Sequence, residues 1–231
     1  MTESVQNYPG LAGDGALRAE RNRVLRNTYW LLSLSMVPTV LGAWIGVQSG
    51  IMQSMTGGIG LIVFLVGAFG FMFAIEKFKN SAAGVPLLLA FTFFMGLMLA
   101  RLLGSVLGLN NGGSLIMMAF AGTGGIFFGM ATLSSVIKRD LSSMGKFLMI
   151  GVIMLLVAGI ANVFIQSSAL MITLSVLAIG IFSFFILHDL KRVQDGEETN
   201  YITATLGVYL SLYNVFSSLL ALLGIFGGEK D

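Results

Sequence analysis

The chain has 231 residues, of which 56% are apolar and 10% are charged, and its mean hydropathy is +0.90. A water-soluble domain of this size does not need so many apolar residues, whereas apolar runs of about 18 or more residues are long enough to cross a bilayer. The net charge is only +2, and cysteine is absent, which excludes disulfides and thiolate metal sites. A single histidine makes a zinc site unexpected, so we expect no metal and no cofactor.

The first 26 residues are polar and lack the apolar core of a signal peptide. We predict that residues 1–26 form a flexible cytoplasmic tail and that residues 27–231 form a separate transmembrane domain. The tail contains a basic cluster made of Arg18, Arg21, Arg23 and Arg26. This cluster is either an anchor that sets membrane topology or a binding site, and the sequence leaves both interpretations open.

Seven apolar segments follow the tail, separated by short turns. The predicted spans are residues 28–49, 57–75, 84–109, 114–137, 146–165, 169–188 and 201–226. The sequence therefore predicts an all-α integral membrane protein with seven transmembrane helices. Pairs of glycines four residues apart, such as Gly42 and Gly46, allow close approach of neighbouring helices.

The basic residues are distributed unevenly between the two sides of this predicted bundle. All 13 except Arg101 and Lys230 lie in the amino-terminal tail or in the loops after the second, fourth and sixth spans. Because cytoplasmic loops carry an excess of lysine and arginine, we expect a cytoplasmic amino terminus and a carboxyl terminus on the outer, periplasmic side.

Arg101 lies within the third apolar span, about eight residues from its outer end. A charge in the middle of a span costs at least about 2.5 kcal/mol on insertion scales. Its long side chain can reach the outer surface by snorkelling or contact backbone carbonyls, and the alternative is a role in transport.

The last span is unusual because its polar side chains fall on every side of a helix. These residues are Tyr201, Thr203, Thr205, Tyr209, Ser211, Tyr213, Asn214, Ser217 and Ser218. Lipid-facing positions tolerate such groups poorly. We therefore expect six helices packed around a central seventh, and the alternative is a lipid-exposed helix with its polar groups among the headgroups.

Catalytic residues for membrane chemistry are not apparent. Cysteine is missing, the one histidine lies at the membrane border, and no pair of aspartates lies within the spans. The seventh span also lacks a lysine that would bind retinal as a Schiff base. We expect a protein that is not an enzyme.

Three segments carry a resemblance to a known family: VLRNTYWLLSLS, IKRDLSSMGKFLMIG and GEETNYITATLGVYLSLYNVFSSLLALLGIF. From about Val24 to its end, the chain resembles the Bax-inhibitor transmembrane family, and most of all its bacterial YccA branch. The resemblance implies six helices around a central seventh. It also implies an inner (plasma) membrane substrate and modulator of the ATP-dependent protease FtsH, with FtsH, its membrane-associated regulators and the lipid bilayer as partners. The alternative that it implies is a pH-sensitive leak for calcium, other cations or protons. No nucleic-acid partner is expected.

The same resemblance points to Asp189, at the end of the sixth span, as an ion- or proton-sensing residue. In the calcium-leak branch this carboxylate pairs with a second aspartate, whose position is Ser211 here. Two adjacent carboxylates share a proton, whereas a carboxylate beside a hydroxyl does not, so a paired-acid gate is in doubt. Asp189 is predicted to bind Ser211 or Tyr213, to pair with a lysine, or to be a solvated charge at the helix end. The candidate lysines are Lys77, Lys79 and Lys191.

Other ionisable residues lie on the same predicted cytoplasmic side. His188 either titrates near neutral pH or is an interfacial residue without a role. The acidic residues there form either a loose cation-attracting cluster or an ordinary solvated loop. They are Glu76, Asp195, Glu197 and Glu198.

Overall fold

The computed structural model describes residues 9–50 and 58–228, without the side chains of residues 9–14 and 16. Within these ranges the regular secondary structure is entirely helical, and the helices are long and apolar enough to cross a membrane. They are α1 (Pro9–Ser49), α2 (Gly58–Phe78), α3 (Gly84–Leu107), α4 (Gly112–Val136), α5 (Met144–Ile165), α6 (Ser168–Asp195) and α7 (Tyr201–Phe226). The predicted all-α class with seven membrane-spanning helices is confirmed.

The start of α1 differs from the predicted tail. The helix begins at Pro9, so residues 9–26 continue the first span as one helix. Proline is favoured at the first helical position, and the segment 16–21, ALRAER, consists of strong helix formers. Residues 1–8 lie outside the described residues, and the division into a tail and a membrane domain stays a prediction.

The end of α6 also differs, because the helix runs to Asp195 rather than stopping near His188. Leu190 and Val193 remain fully buried beyond the predicted boundary, so the apolar face of α6 continues among the charged residues. Gly196 follows the last helical residue and ends the helix with a φ of +83°, a left-handed conformation that glycine adopts without steric cost.

The last helix is enclosed by protein over most of its length. All residues of α7 from 201 to 224 are buried or half-buried. Helices α1, α3, α4 and α6 pack against α7 and contact one another in series, whereas α2 packs mainly on α3 and α5 packs on α6. The burial of α7 agrees with the sequence argument, but the arrangement of all six other helices around it stays a prediction.

Close packing of α1 against α3 depends on glycine. A Cβ atom on Gly96 would lie 2.1 Å from the Thr39 carbonyl oxygen, and one on Gly42 would lie 2.2 Å from the Phe93 carbonyl oxygen. These neighbours are backbone atoms of the facing helix, so they cannot move aside independently. The α1–α3 pair therefore requires glycine at both positions.

We expect Gly96→Ala to separate α1 from α3 and to lower the free energy of unfolding by about 1–3 kcal/mol, the usual cost of overpacking. The matched control is Gly125→Ala on α4, where nothing lies within 4 Å of an added Cβ atom. The control should be neutral or slightly stabilising. Thermal unfolding of both variants in the same detergent checks this, and equal midpoints would contradict the packing argument.

Candidate functional site

Asp189 lies at the contact between α6 and α7, and its side chain is 17% exposed. A Cβ atom on Gly207 of α7 would lie only 2.7 Å from the Asp189 Oδ2 atom. The carboxylate therefore occupies space that any other residue at position 207 would fill. The structure directs this acidic group toward the last helix rather than into solvent.

His188 is the hydrogen-bonding partner of this carboxylate. Its Nδ1 atom is 3.3 Å from Asp189 Oδ1, and the residue is only 7% exposed. The imidazole also lies against Gly145 at the start of α5, where a Cβ atom would be 2.7 Å from Nε2, and it meets the Phe185 ring edge-on. His188 is thus buried against α5 rather than exposed, and its predicted position at the membrane edge stays a prediction.

The lysines predicted to pair with Asp189 have other partners. Lys79 pairs with Glu76 and Lys191 pairs with Asp195, each at 2.5 Å. Lys77 lies over the Phe78 ring. Asp189 and Lys191 both lie within α6, which continues to Asp195. Because they are two residues apart, their side chains project from different sides of the helix. The predicted lysine pairings and the solvated helix-end charge are therefore wrong for Asp189.

Ser211 lies near Asp189 along α7 but does not bind it. It follows Gly207 by four residues, so the two share one face of α7, about 6 Å apart along the axis. Ser211 is buried, and among residues 9–50 and 58–228 no hydrogen bond joins Asp189 to Ser211 or Tyr213. The sensing roles predicted for these residues stay predictions.

A buried tyrosine that the sequence did not single out as a site links three helices. The Tyr209 hydroxyl lies 2.9 Å from the Thr39 hydroxyl of α1 and 3.4 Å from the Thr92 carbonyl oxygen of α3. Its ring contacts those of Phe91 and Tyr213. The even spread of polar groups on α7 was the available signal for this role, but it did not say which hydroxyl would reach which helix.

Arg101 projects from the outer surface of the bundle. It is exposed on α3, six residues before the helix ends at Leu107, about 9 Å along the axis. In the described part of the chain it forms no ion pair. This placement favours a side chain that snorkels toward the surface, and its functional role stays a prediction.

The acidic residues beside the α6–α7 loop are held in separate pairs and not in one cluster. Glu197 lies 3.6 Å from Arg192 and 3.5 Å from the Ser142 hydroxyl. Ser142 also donates its backbone N–H and its hydroxyl to Asp140, and these bonds lower the pKa of that carboxyl. In the described part of the chain no group of three or more acidic or histidine side chains could hold a metal ion, and whether these residues attract cations stays a prediction.

The Tyr209 contact can be measured by a double-mutant cycle. We expect Tyr209→Phe and Thr39→Val each to destabilise the protein, with a coupling of about 0.5–1.5 kcal/mol because both remove the same hydrogen bond. The unfolding free energies of the two single variants and the double variant in detergent give this value. Strictly additive effects would mean that the two hydroxyls do not interact.

Comparison with known proteins gives one family match that covers nearly the whole chain. Residues 21–228 match the family described as Inhibitor of apoptosis-promoting Bax1. This range includes Asp189, His188, Gly207 and the other residues of the candidate site.

Curated bacterial relatives cover similar lengths. The chain is 39% identical to a protein of Escherichia coli K12 named "Modulator of FtsH protease YccA", over 88% of this chain and 90% of that protein. It is 39% identical to an uncharacterized membrane protein of Vibrio cholerae, over 89% and 91% of the two chains. It is also 37% identical to an uncharacterized protein of Pseudomonas aeruginosa, over 93% and 94%.

Proposed function

Because this chain belongs to the Bax-inhibitor family, the inhibitors of apoptosis-promoting Bax1, we propose that it is an inner-membrane regulatory protein rather than an enzyme. Its specific role in this proposal is that of a substrate and modulator of the protease FtsH. The observation that carries the proposal is 39% identity, over about nine-tenths of both chains, to the Escherichia coli protein named as an FtsH modulator. FtsH and its membrane-associated regulators are the proposed partners.

The amino-terminal part of α1 is the proposed handle for the protease. A Cβ atom on Gly196 would lie 2.7 Å from Nε of Arg21, so the Arg21 side chain rests on the end of α6. Val24 packs with Val193 and Ala204 in a small apolar cluster. A protease that pulls on this end therefore has to grip the chain before Arg21 and then detach α1 from α6 and α7.

We expect deletion of residues 2–16 to lengthen the lifetime of the protein severalfold in membranes that contain FtsH. The deletion removes the proposed handle but keeps Val24 and the four arginines of the basic cluster, so packing and topology signals remain. Pulse–chase measurements with and without FtsH give the lifetimes.

The control for the deletion replaces residues 2–16 by an equally long glycine–serine segment, which is flexible and should restore degradation. Degradation of the truncated protein as fast as that of the intact protein would overturn the proposed handle. The modulator role is tested separately, by measuring whether the full-length protein slows FtsH cleavage of a second membrane substrate.

A second candidate function, a pH-sensitive leak for calcium, other cations or protons, is favoured by the buried pair of His188 and Asp189. Two ionisable side chains at the contact of α6 with α7 provide groups whose protonation can change helix packing. Ser211 supplies a hydroxyl where a second carboxylate would be needed for proton sharing. The leak therefore ranks below the regulatory role.

For the leak we expect Asp189→Asn to weaken the pH dependence of calcium efflux from loaded liposomes, since a neutral amide no longer binds or releases a proton and only His188 remains. The matched control is Asp195→Asn, which removes a carboxylate that is on the same helix but paired with Lys191. Efflux that is identical for the intact protein and Asp189→Asn at every pH would remove Asp189 from the mechanism.

A further inference from the structure

Trp30 separates two open grooves on the surface of α1, and its side chain is 73% exposed. One groove, of about 520 Å³, is lined by Asn27, Trp30, Leu31, Ser33, Leu34 and Tyr201. The other, of about 410 Å³, is lined by Asn22, Leu25, Arg26, Tyr29, Trp30 and Ser33. Together they form a continuous surface, the Trp30 groove, with polar groups at its amino-terminal end and apolar groups further along α1.

The position of the Trp30 groove along the membrane normal follows from the ends of the neighbouring helices. Tyr201, which lines the groove, is the first residue of α7. The preceding Asn200 binds the Lys79 carbonyl oxygen just after the end of α2. Trp30 therefore lies within about two turns of the ends of two transmembrane helices, near the region where hydrocarbon gives way to headgroups and where tryptophan is favoured.

Two arginines on the amino-terminal side of Trp30 carry positive charge that no ion pair within the described residues offsets. Arg23 and Arg26 are exposed, and neither forms an ion pair with any residue in 9–50 or 58–228 whose side chain is described. Residues 23, 26 and 30 follow a spacing of three and four, so they share one face of α1. Arg26 is about 6 Å further from the bilayer centre than Trp30 along the helix axis.

We propose that the Trp30 groove binds one phospholipid with an anionic headgroup. Arg23 and Arg26 contact the phosphate, the Trp30 indole N–H donates to an ester carbonyl, and an acyl chain lies along Leu34. This order of cation, donor and apolar surface matches the order of groups in a phospholipid. A zwitterionic lipid has the same phosphate and esters, but its own ammonium group offsets the attraction, so the site selects net negative charge. The proposal is independent of the role toward FtsH.

The protein contains only two tryptophans, so quenching of fluorescence can report on each one. In Trp44→Phe, Trp30 is the sole tryptophan, and this variant is reconstituted in phosphatidylcholine vesicles containing either brominated phosphatidylglycerol or brominated phosphatidylcholine. We expect stronger quenching by the anionic lipid at equal mole fraction. Adding Arg26→Gln should lower the relative affinity for the anionic lipid about fivefold, the contribution of one arginine near a membrane surface.

Two controls distinguish binding of anionic lipid at the Trp30 groove from a general attraction of anionic lipid to the whole protein. In Trp30→Phe the remaining Trp44, about 21 Å away along α1, should be quenched equally by both lipids. Arg139→Gln removes an exposed arginine between α4 and α5 and should leave the selectivity at Trp30 unchanged. Equal quenching of Trp30 by both lipids, or an effect of Arg139→Gln as large as that of Arg26→Gln, would overturn the proposal.

Discussion

Polar side chains can cross a bilayer only where protein groups replace the water that they leave. This requirement accounts for the burial of α7 among its neighbours. Thr205, Asn214 and Ser217 donate to carbonyl oxygens one turn earlier in the same helix, which satisfies these groups locally. Tyr209 cannot do so and reaches α1 and α3 instead. Helices α1 and α3 are therefore held to α7 by hydrogen bonds as well as by packing.

Glycine makes these short distances possible, and it does so again at the candidate site. Gly207 admits the Asp189 carboxylate and Gly145 admits the His188 imidazole, so two ionisable groups lie between α5, α6 and α7. An acid and an imidazole held in this way are sensitive to the packing of three helices.

The functional proposals share one end of the bundle, where the long helix α1 leaves the membrane domain. Its residues Arg21 and Val24 are docked on α6 and α7, whereas Arg23, Arg26 and Trp30 face outward. One side of α1 is thus packed on the two helices that hold the candidate site, and the other side is exposed. A protease that pulls on α1 and a lipid that holds it would have opposite effects on the same helix.

The sequence by itself determined the number and type of the helices, because long apolar runs have no other stable structure in a bilayer. The spread of polar groups also predicted the burial of α7, whereas Asp189 was indicated only by the resemblance to the Bax-inhibitor family. Only the tertiary structure decided that Asp189 meets His188 and Gly207, that α6 continues to Asp195 and that α2 and α5 pack mainly on α3 and α6. The physical reason is that lipid is as apolar as leucine, so hydropathy does not report which side of a helix faces protein. Helix rotation is fixed by contacts between residues far apart in the sequence.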